Sequence, residues 1–140
     1  KYDKLKLENL LCFPLYAAAK EIVRQYKPFL DRLDMTYTQY IAMMVLWEHR
    51  EVTVKELGEY LYLDSGTLTP LLKTMEKKGW VERNRSKEDE RVLIVTITEV
   101  GDKLKEKAVC VPEQMAGCIH LEKEEAIQLY QLLYKILGKF

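Results

Sequence analysis

The segment from Thr53 to Thr98 constrains this chain most, because its apolar period switches from helical to alternating over a short span. Thr53 stands before Val54 with Glu56 three residues on, the pattern of a capping box, and opens a short helix over residues 54–61. The turn Tyr62-Leu63-Asp64 follows. A second helix is expected over residues 65–78, capped by Asp64 or Ser65, with Gly79 closing it in a left-handed conformation. Two strand-like runs come next, residues 80–85 and 91–98. The second alternates, with Val92, Ile94, Thr96 and Thr98 on one face and Leu93, Val95 and Ile97 on the other. Residues 86–90 are wholly polar, so the two runs read as a hairpin with a solvated tip. Two short helices joined by a tight turn and followed by a two-stranded ribbon predict a winged helix-turn-helix over about residues 53–98.

The flanks are helical and over-supplied with apolar surface. Residues 5–31 carry Leu7, Leu10, Leu11, Leu15, Ala18, Ala19, Ile22, Val23 and Tyr26 at helical spacing. Pro14 lacks the amide that would bond the Leu10 carbonyl, so this helix either kinks there or begins again near it. Residues 37–49 form a helix apolar on most sides, as a central core helix should be. After Thr98, a helix is expected over 99–116 with Gly101 and Pro112 as weak points, then a break at 117–120 and a last amphipathic helix over 121–139. The fold class is therefore all-α with a small two-stranded wing. The terminal helices, about 5–31 and 99–139, have more apolar face than so small a module can cover, and a second copy of the chain is the expected partner. With 140 residues and 48 % hydrophobic content, a single domain spanning 1–140 is expected.

Twenty-two acidic and twenty-two basic residues cancel, so a nucleic-acid surface must come from local segregation of charge. Residues 66–87 supply it, with six basic residues against Glu76 and Glu82. Ser65, Gly66, Thr67, Thr69 and Lys73 cluster in the first turns of the second helix, where small and hydroxylated residues admit the backbone closely to a groove. Arg83, Arg85 and Lys87 lie on the hairpin, and Asp89 beside Arg91 at its far side is expected to hold that arginine in a fork suited to a minor groove. Any one of these features alone would fit a solvated helix or a charged hairpin. Their order favours double-stranded DNA as the partner.

Three cysteines, odd and sparse, do not form a secreted disulfide framework, and a reducing cytoplasmic setting is expected. Residue 1 is Lys rather than Met, so native residues are expected upstream; neither a basic-then-apolar leader nor a run of about 20 apolar residues appears. Cys12 reads in two ways. Spacing alone suits a buried, inert thiol. Yet a cysteine reacts with peroxide as thiolate, which a helix start near Pro14 and phenolic donors would favour, and Leu11, Phe13 and Leu15 would welcome an alkyl peroxide. Cys118 follows Ala116-Gly117 on an accessible connection that suits a resolving thiol, or a boundary cysteine with no redox role. Cys110, between two valines, reads as packing, and the Met43-Met44 pair as core and dimer contacts.

The run LGEYLYLDSGTLTPLLKTMEKKGWVERNRSKEDERVLIVTITEVG (57–101) resembles the winged-helix core of the MarR family of bacterial regulators. Residues 7–31 with 36–48 are similar to the organic-hydroperoxide-sensing branch. The resemblance implies a dimeric repressor released from its operator when an N-terminal cysteine is oxidised by organic hydroperoxides. It places that cysteine at Cys12, within Leu-Cys-Phe-x-x-Tyr, and implies that Tyr26 and Tyr37, with Tyr16 nearby, support the thiolate across the dimer. Pro14 departs from the aliphatic residue common there. Members with a second late cysteine bridge their subunits, which would make Cys118 the resolving thiol.

His49 and His120 are solitary, with no further ligands at metal spacing, and neither a nucleophile–base pair nor a phosphate-cradling loop is present. No cofactor, metal or membrane partner and no enzymatic activity are expected. The alternative within the fold is a repressor that answers a small aromatic effector bound between its dimer and DNA-binding regions, with Cys12 incidental. A thiol peroxidase, or a helical dimer without DNA, is the reading from another class; turnover of excess peroxide would single out the enzyme.

Overall fold

Thr36 accepts the Gln39 amide through its hydroxyl at 3.3 Å while the Gln39 side chain accepts the Thr36 amide at 3.0 Å, and this closed box starts the helix around which the rest packs. That helix is α2 (Tyr37–His49), which buries Tyr40, Ala42, Met43 and Leu46. The computed structural model describes residues 1–138. Two 3-10 turns, Asp3–Leu5 and Leu7–Asn9, precede α1 (Cys12–Asp31), so the first helix begins at Cys12 rather than near residue 5. Pro14 sits in its first turn, where the missing amide has no helical partner to lose.

After α2 come β1 (Glu51–Thr53), α3 (Val54–Leu61) and α4 (Ser65–Lys77), then β2 (Val81–Arg85) and β3 (Leu93–Ile97). The strands form one antiparallel sheet in the order β1-β3-β2, with Val52 opposite Val95 and Arg83 opposite Val95 from the other side. The expected wing has two strands and the sheet has three. A three-residue strand is too short to show an alternating period, and β1 exists because β3 offers it a free edge. Val95 and Ile97 are buried in the core with Leu57, Leu68, Leu72 and Met75, the buried stripes of the two short helices, and with Trp80 just before β2.

The helix expected over 99–116 is segmented into α5 (Glu99–Lys103), α6 (Lys105–Ala108) and α7 (Val111–Ala116). Leu104, Val109 and Cys110 keep right-handed dihedrals, so the course stays helical while the α-helical bonding tightens between pieces. Gly101 is not a weak point. It is buried against the Trp80 carbonyl, where a Cβ would come within 2.2 Å of that oxygen. Its amide donates to the Thr98 hydroxyl at 3.0 Å, its carbonyl accepts the Trp47 indole at 3.0 Å, and Thr98 also donates to the Gly79 carbonyl at 2.6 Å. This knot ties the wing to the helix that leaves it.

The chain ends in α8 (Lys123–Ile136), of which no residue is buried. The expectation of helix as far as Lys139 reaches beyond the described residues. Leu5, Leu7, Leu11, Phe13 and Tyr16 at one end of the chain, and Ile127, Leu129, Tyr130, Leu132 and Ile136 at the other, are exposed large hydrophobics. Among the described residues no helix is long and apolar enough to cross a membrane.

Candidate DNA interface and thiol site

Asp64 caps α4 by accepting the Thr67 amide at 2.8 Å, which holds its carboxyl below the usual carboxylate range. With the N-terminus fixed, Ser65, Gly66, Thr67, Thr69 and Lys73 are all exposed on the first turns, as the sequence places them. Thr69 donates its hydroxyl back to the Ser65 carbonyl at 2.9 Å, which satisfies that proton inside the helix and leaves the oxygen as an acceptor. Gly58 of α3 lets the two helices meet closely: a Cβ there would lie 2.7 Å from the Leu63 carbonyl oxygen. Tyr62 closes α3 in the left-handed conformation, φ 57° and ψ 39°, a place usually given to glycine or asparagine.

The wing presents a second charged edge. Ser86 donates its amide to the Val92 carbonyl at 2.8 Å to close the hairpin, and its hydroxyl accepts the Glu88 and Asp89 amides. Asp89 then takes Arg91 in a fork, Nε to Oδ1 at 3.1 Å and Nη2 to Oδ2 at 3.3 Å, while the Arg91 amide bonds Oδ1 at 3.0 Å. These bonds hold the Asp89 carboxyl below its ordinary range. The Arg91 side chain is 90 % exposed, a pre-organised guanidinium facing solvent. Arg85 donates to the Glu90 carbonyl at 3.2 Å, and Lys87 is exposed near the tip.

Arg83 departs from expectation. Its side chain is only 18 % exposed and is held by Glu76, whose carboxylate accepts the Arg83 Nη2 and the Arg83 amide, each at 3.1 Å. Arg83 is thus the clamp between α4 and the wing, not a free cation on the outer face. The Arg83 side-chain bond first, then its amide, holds the Glu76 carboxyl low. Lys78 is similarly engaged, by the Asp34 carbonyl and carboxylate and by the face of Trp80. Sequence reasoning missed both pairs because each depends on tertiary placement, Glu76–Arg83 on the chain turning at Gly79 and Lys78–Asp34 on α4 ending beside the α1–α2 connection.

Cys12 is exposed as the first residue of α1, one turn before Tyr16, whose ring lies under the Lys20 ammonium at 5.4 Å. Tyr26 and Tyr37 meet in a tilted pair with centroids 4.9 Å apart, and Tyr40, which sequence reasoning did not single out, joins them at 5.7 and 6.4 Å. Burial raises all three phenols above the ordinary value, Tyr40 to about 12, so each keeps its proton and can donate it. Cys12 and this cluster do not meet within one protomer: fourteen residues of α1 separate Cys12 from Tyr26, roughly 21 Å of helix. Cys118 is half-buried against the core, its thiol 3.6 Å from the Gln114 carbonyl, so it is less accessible than its loop position implies. Cys110 is exposed in the single chain rather than packed. Met43 is core as expected, whereas Met44 is exposed.

A cleft of about 890 Å³ separates the base of α3 and the start of α4 from the wing, with Val54, Leu63, Leu68 and Val92 among its walls and Arg91 at its rim.

The family model described as "Transcriptional regulator SarA/Rot" matches residues 24–108. The organic hydroperoxide resistance transcriptional regulator of Bacillus subtilis is 53 % identical over 98 % of this chain and 93 % of its own length. The HTH-type transcriptional regulator SarZ of Staphylococcus haemolyticus is 40 % identical over 94 % of the chain and 90 % of its own. Among solved structures, reduced AbfR bound to DNA superposes with a TM-score of 0.78 at 34 % identity, covering 97 % of this chain and 95 % of that one. The same protein in its disulfide-formed state gives 0.66, at 96 % and 95 % coverage. Both of these relatives are named as transcriptional regulators, and reduced AbfR is described as bound to DNA. With the winged helix-turn-helix on display and likeness running the length of the chain, this protein belongs to the MarR family of DNA-binding transcriptional regulators, in the branch that holds the organic hydroperoxide resistance regulators.

Proposed function

We propose that the protein is a homodimeric, thiol-based repressor that leaves its operator when Cys12 is oxidised by an organic hydroperoxide. The observation that carries this reading is the setting of Cys12: an exposed thiol at a helix start, flanked by exposed Leu11, Phe13 and Leu15, an apolar approach suited to an alkyl chain. The names of the Bacillus subtilis relative and of the reduced and disulfide-formed AbfR structures support it.

The chemistry balances with the chain's own groups. The Cys12 thiolate attacks one peroxide oxygen, the O–O bond breaks, and the alkoxide leaves as alcohol after taking a proton, which gives a sulfenic acid. The partner subunit's Cys118 then attacks that sulfur and expels water, forming a disulfide. Tyr26 and Tyr37, their protons retained, are the donors to the thiolate, supplied by the opposite protomer since one protomer keeps them apart from its own Cys12; Tyr16 completes the wall. Pairing through the exposed apolar faces of α1 and α8 brings the two ends of the chain together. A disulfide requires Cα atoms within about 7 Å, so Cys118 must leave its half-buried seat, and the attached helices move with it.

On DNA, Ser65, Gly66, Thr67, Thr69 and Lys73 face the major groove, while Arg85, Lys87 and the Asp89–Arg91 fork meet the backbone and minor groove; Arg83 positions the wing. A two-fold dimer reads an inverted repeat, its half-sites about one turn, roughly 34–36 Å, apart. The test is operator binding before and after one equivalent of cumene hydroperoxide, with non-reducing electrophoresis. A covalent dimer should form in wild type, vanish in Cys12→Ser and Cys118→Ser, and persist in Cys110→Ser. Loss of DNA on oxidation of Cys12→Ser would place the sensor elsewhere. Release by Cys118→Ser as in wild type would make Cys12 a one-cysteine sensor that pairs with an external thiol. The cleft beside Arg91 favours one second reading, a repressor answering an aromatic acid; such a protein would release DNA on adding the acid with all three cysteines replaced by serine.

A further inference from the structure

The two phenols assigned to the thiolate stand on different helices, Tyr26 on α1 and Tyr37 in the first turn of α2. Both are half-buried, and their rings meet at 4.9 Å and 58°. To serve one sulfur, two hydroxyls must keep a fixed separation, because a hydrogen bond weakens steeply as its distance and angle drift. A ring pair standing alone does not secure this. One step between staggered rotamers about χ1 carries a tyrosine hydroxyl out of reach.

Tyr40 supplies a third contact. The capping box of Thr36 and Gln39 opens α2 and sets Tyr37 and Tyr40 three residues apart on one face. The Tyr40 ring is 3 % exposed and lies 5.7 Å from Tyr26 and 6.4 Å from Tyr37, within the range of aromatic pairing with both. It also meets Trp47 edge-on, at 6.3 Å and 68°, and the Trp47 indole donates to the Gly101 carbonyl at 3.0 Å. Gly101 is itself packed against the Trp80 carbonyl, so the ring on which the pair leans is anchored in its turn. Burial first, then the nearness of Tyr26 and Tyr37, pushes the Tyr40 phenol up to about 12. The support therefore adds no negative charge beside a thiolate.

We propose that Tyr40 is a positioning residue of the thiol site: its buried ring, braced by Trp47, fixes the rotamers of Tyr26 and Tyr37 so that both hydroxyls reach Cys12 of the partner subunit together. This rests on the reading that those two phenols donate to the thiolate. Tyr40 touches neither the thiol nor the peroxide; its ring acts, and its hydroxyl does not.

The parent for the test is the full chain carrying Cys118→Ser, in which a Cys12 sulfenic acid is not captured by the second thiol. Cumene hydroperoxide is added across about pH 5 to 10, and dimedone-trapped Cys12 is followed by mass spectrometry. Tyr40→Leu should slow oxidation near pH 7 about tenfold and move the rise of rate up by about one pH unit, with the alkaline plateau within about threefold of the parent. A misplaced donor lowers the thiolate fraction, and alkali restores it. Tyr40→Phe keeps the ring and should restore the parent profile. Tyr40→Met repeats the loss of the ring with a side chain that adapts to irregular space; circular dichroism and the operator affinity of the reduced protein establish that each variant is folded. Tyr26→Phe and Tyr37→Phe separate the two readings. If neither moves the profile, or no trapped Cys12 forms in the parent, the thiolate donors are wrongly assigned and both readings fall. If they move it while folded Tyr40→Leu and Tyr40→Met do not, the positioning role alone is overturned. Tyr40→Phe behaving as Tyr40→Leu would make the hydroxyl the acting group and overturn it too. Failure of both ring-deleted variants to fold would make Tyr40 a core residue and nothing more.

Discussion

Replacing Gly101 by alanine probes the knot between the wing and the helix that leaves it. The added Cβ would lie 2.2 Å from the Trp80 carbonyl oxygen, 3.0 Å from the Trp80 carbonyl carbon and 3.1 Å from Ile97 Cγ1. A normal contact needs roughly 1 Å more, and because the obstacle is backbone, α5 itself must retreat. Overpacking of this kind costs about 1–3 kcal/mol. The same retreat pulls the Gly101 amide from the Thr98 hydroxyl and its carbonyl from the Trp47 indole; loss of the cap adds about 1 kcal/mol. Alanine's better helix propensity returns about 1 kcal/mol. The net destabilisation is then about 1–3 kcal/mol, which for a chain of this size lowers Tm by roughly 4–12 °C. Urea unfolding read by tryptophan fluorescence is the assay, at fixed protein concentration because the stability of the proposed dimer would depend on it. Trp47 and Trp80 both touch the perturbed site, so the native signal should shift as well. Gly117→Ala is the control: Gly117 has right-handed dihedrals, and its Cβ would meet only the Gln114 carbonyl oxygen at 3.6 Å. Equal stability of Gly101→Ala and Gly117→Ala would refute the close-contact reasoning.

Three further outcomes are expected. Glu76→Ala frees the wing and leaves the half-buried Arg83 guanidinium without its carboxylate, so operator affinity should fall about five- to tenfold, with stability down by about 1 kcal/mol; unchanged affinity in a gel-shift titration would mean that the clamp does not set the wing. Arg91→Ala should weaken binding and reduce the slope of log K against log salt by about one, whereas an unaltered slope would remove the fork from the interface. The Tyr40 phenol is raised from 10.0 to about 12 by burial first and by its neighbours Tyr26 and Tyr37 next, so its contribution is whole below pH 10 and is lost as pH rises through about 12. Tyr40→Phe should therefore flatten the alkaline fall of stability over that window, and an identical fall in both proteins would show that the phenol is not the cause.

The winged unit was legible because local signals agree there. Thr53 with Glu56, Asp64 before Ser65, and the alternation ending at Ile97 each fix an element without help from distant parts of the chain. Thr98 is the same kind of signal and caps α5 as expected. What stayed hidden depends on tertiary contact. β1 is a strand only because β3 lies beside it, and Arg83 turns inward only because Glu76 arrives at the same corner. Helical spacing over 99–116 conceals its two interruptions, since Leu104 is a good helix former and only Pro112 marks either break. Cys12 was legible as a residue type in an apolar setting, and so was its fourteen-residue separation from Tyr26 along one helix, whereas the half-burial of Cys118 is set by packing that the sequence pattern does not display.

The segmentation of residues 99–116 also sets how motion is transmitted. A continuous helix of this length is a strut that resists bending along all of it. Here the stiffness is interrupted at two joints, and the joint at Leu104 lies immediately beyond the anchored Gly101. Bending therefore concentrates there while the end nearest the wing stays clamped. From Leu104 to Ala116 is twelve residues, a lever of roughly 18 Å, so a flex of about 10° displaces the far end by about 3 Å. Worked in reverse, a displacement of that size near Cys118 is taken up at Leu104 as a small angle, and the clamped Gly101 end need not move. The arm acts as a flexible coupling, taking up ångströms of travel at its far end as degrees of bend at Leu104.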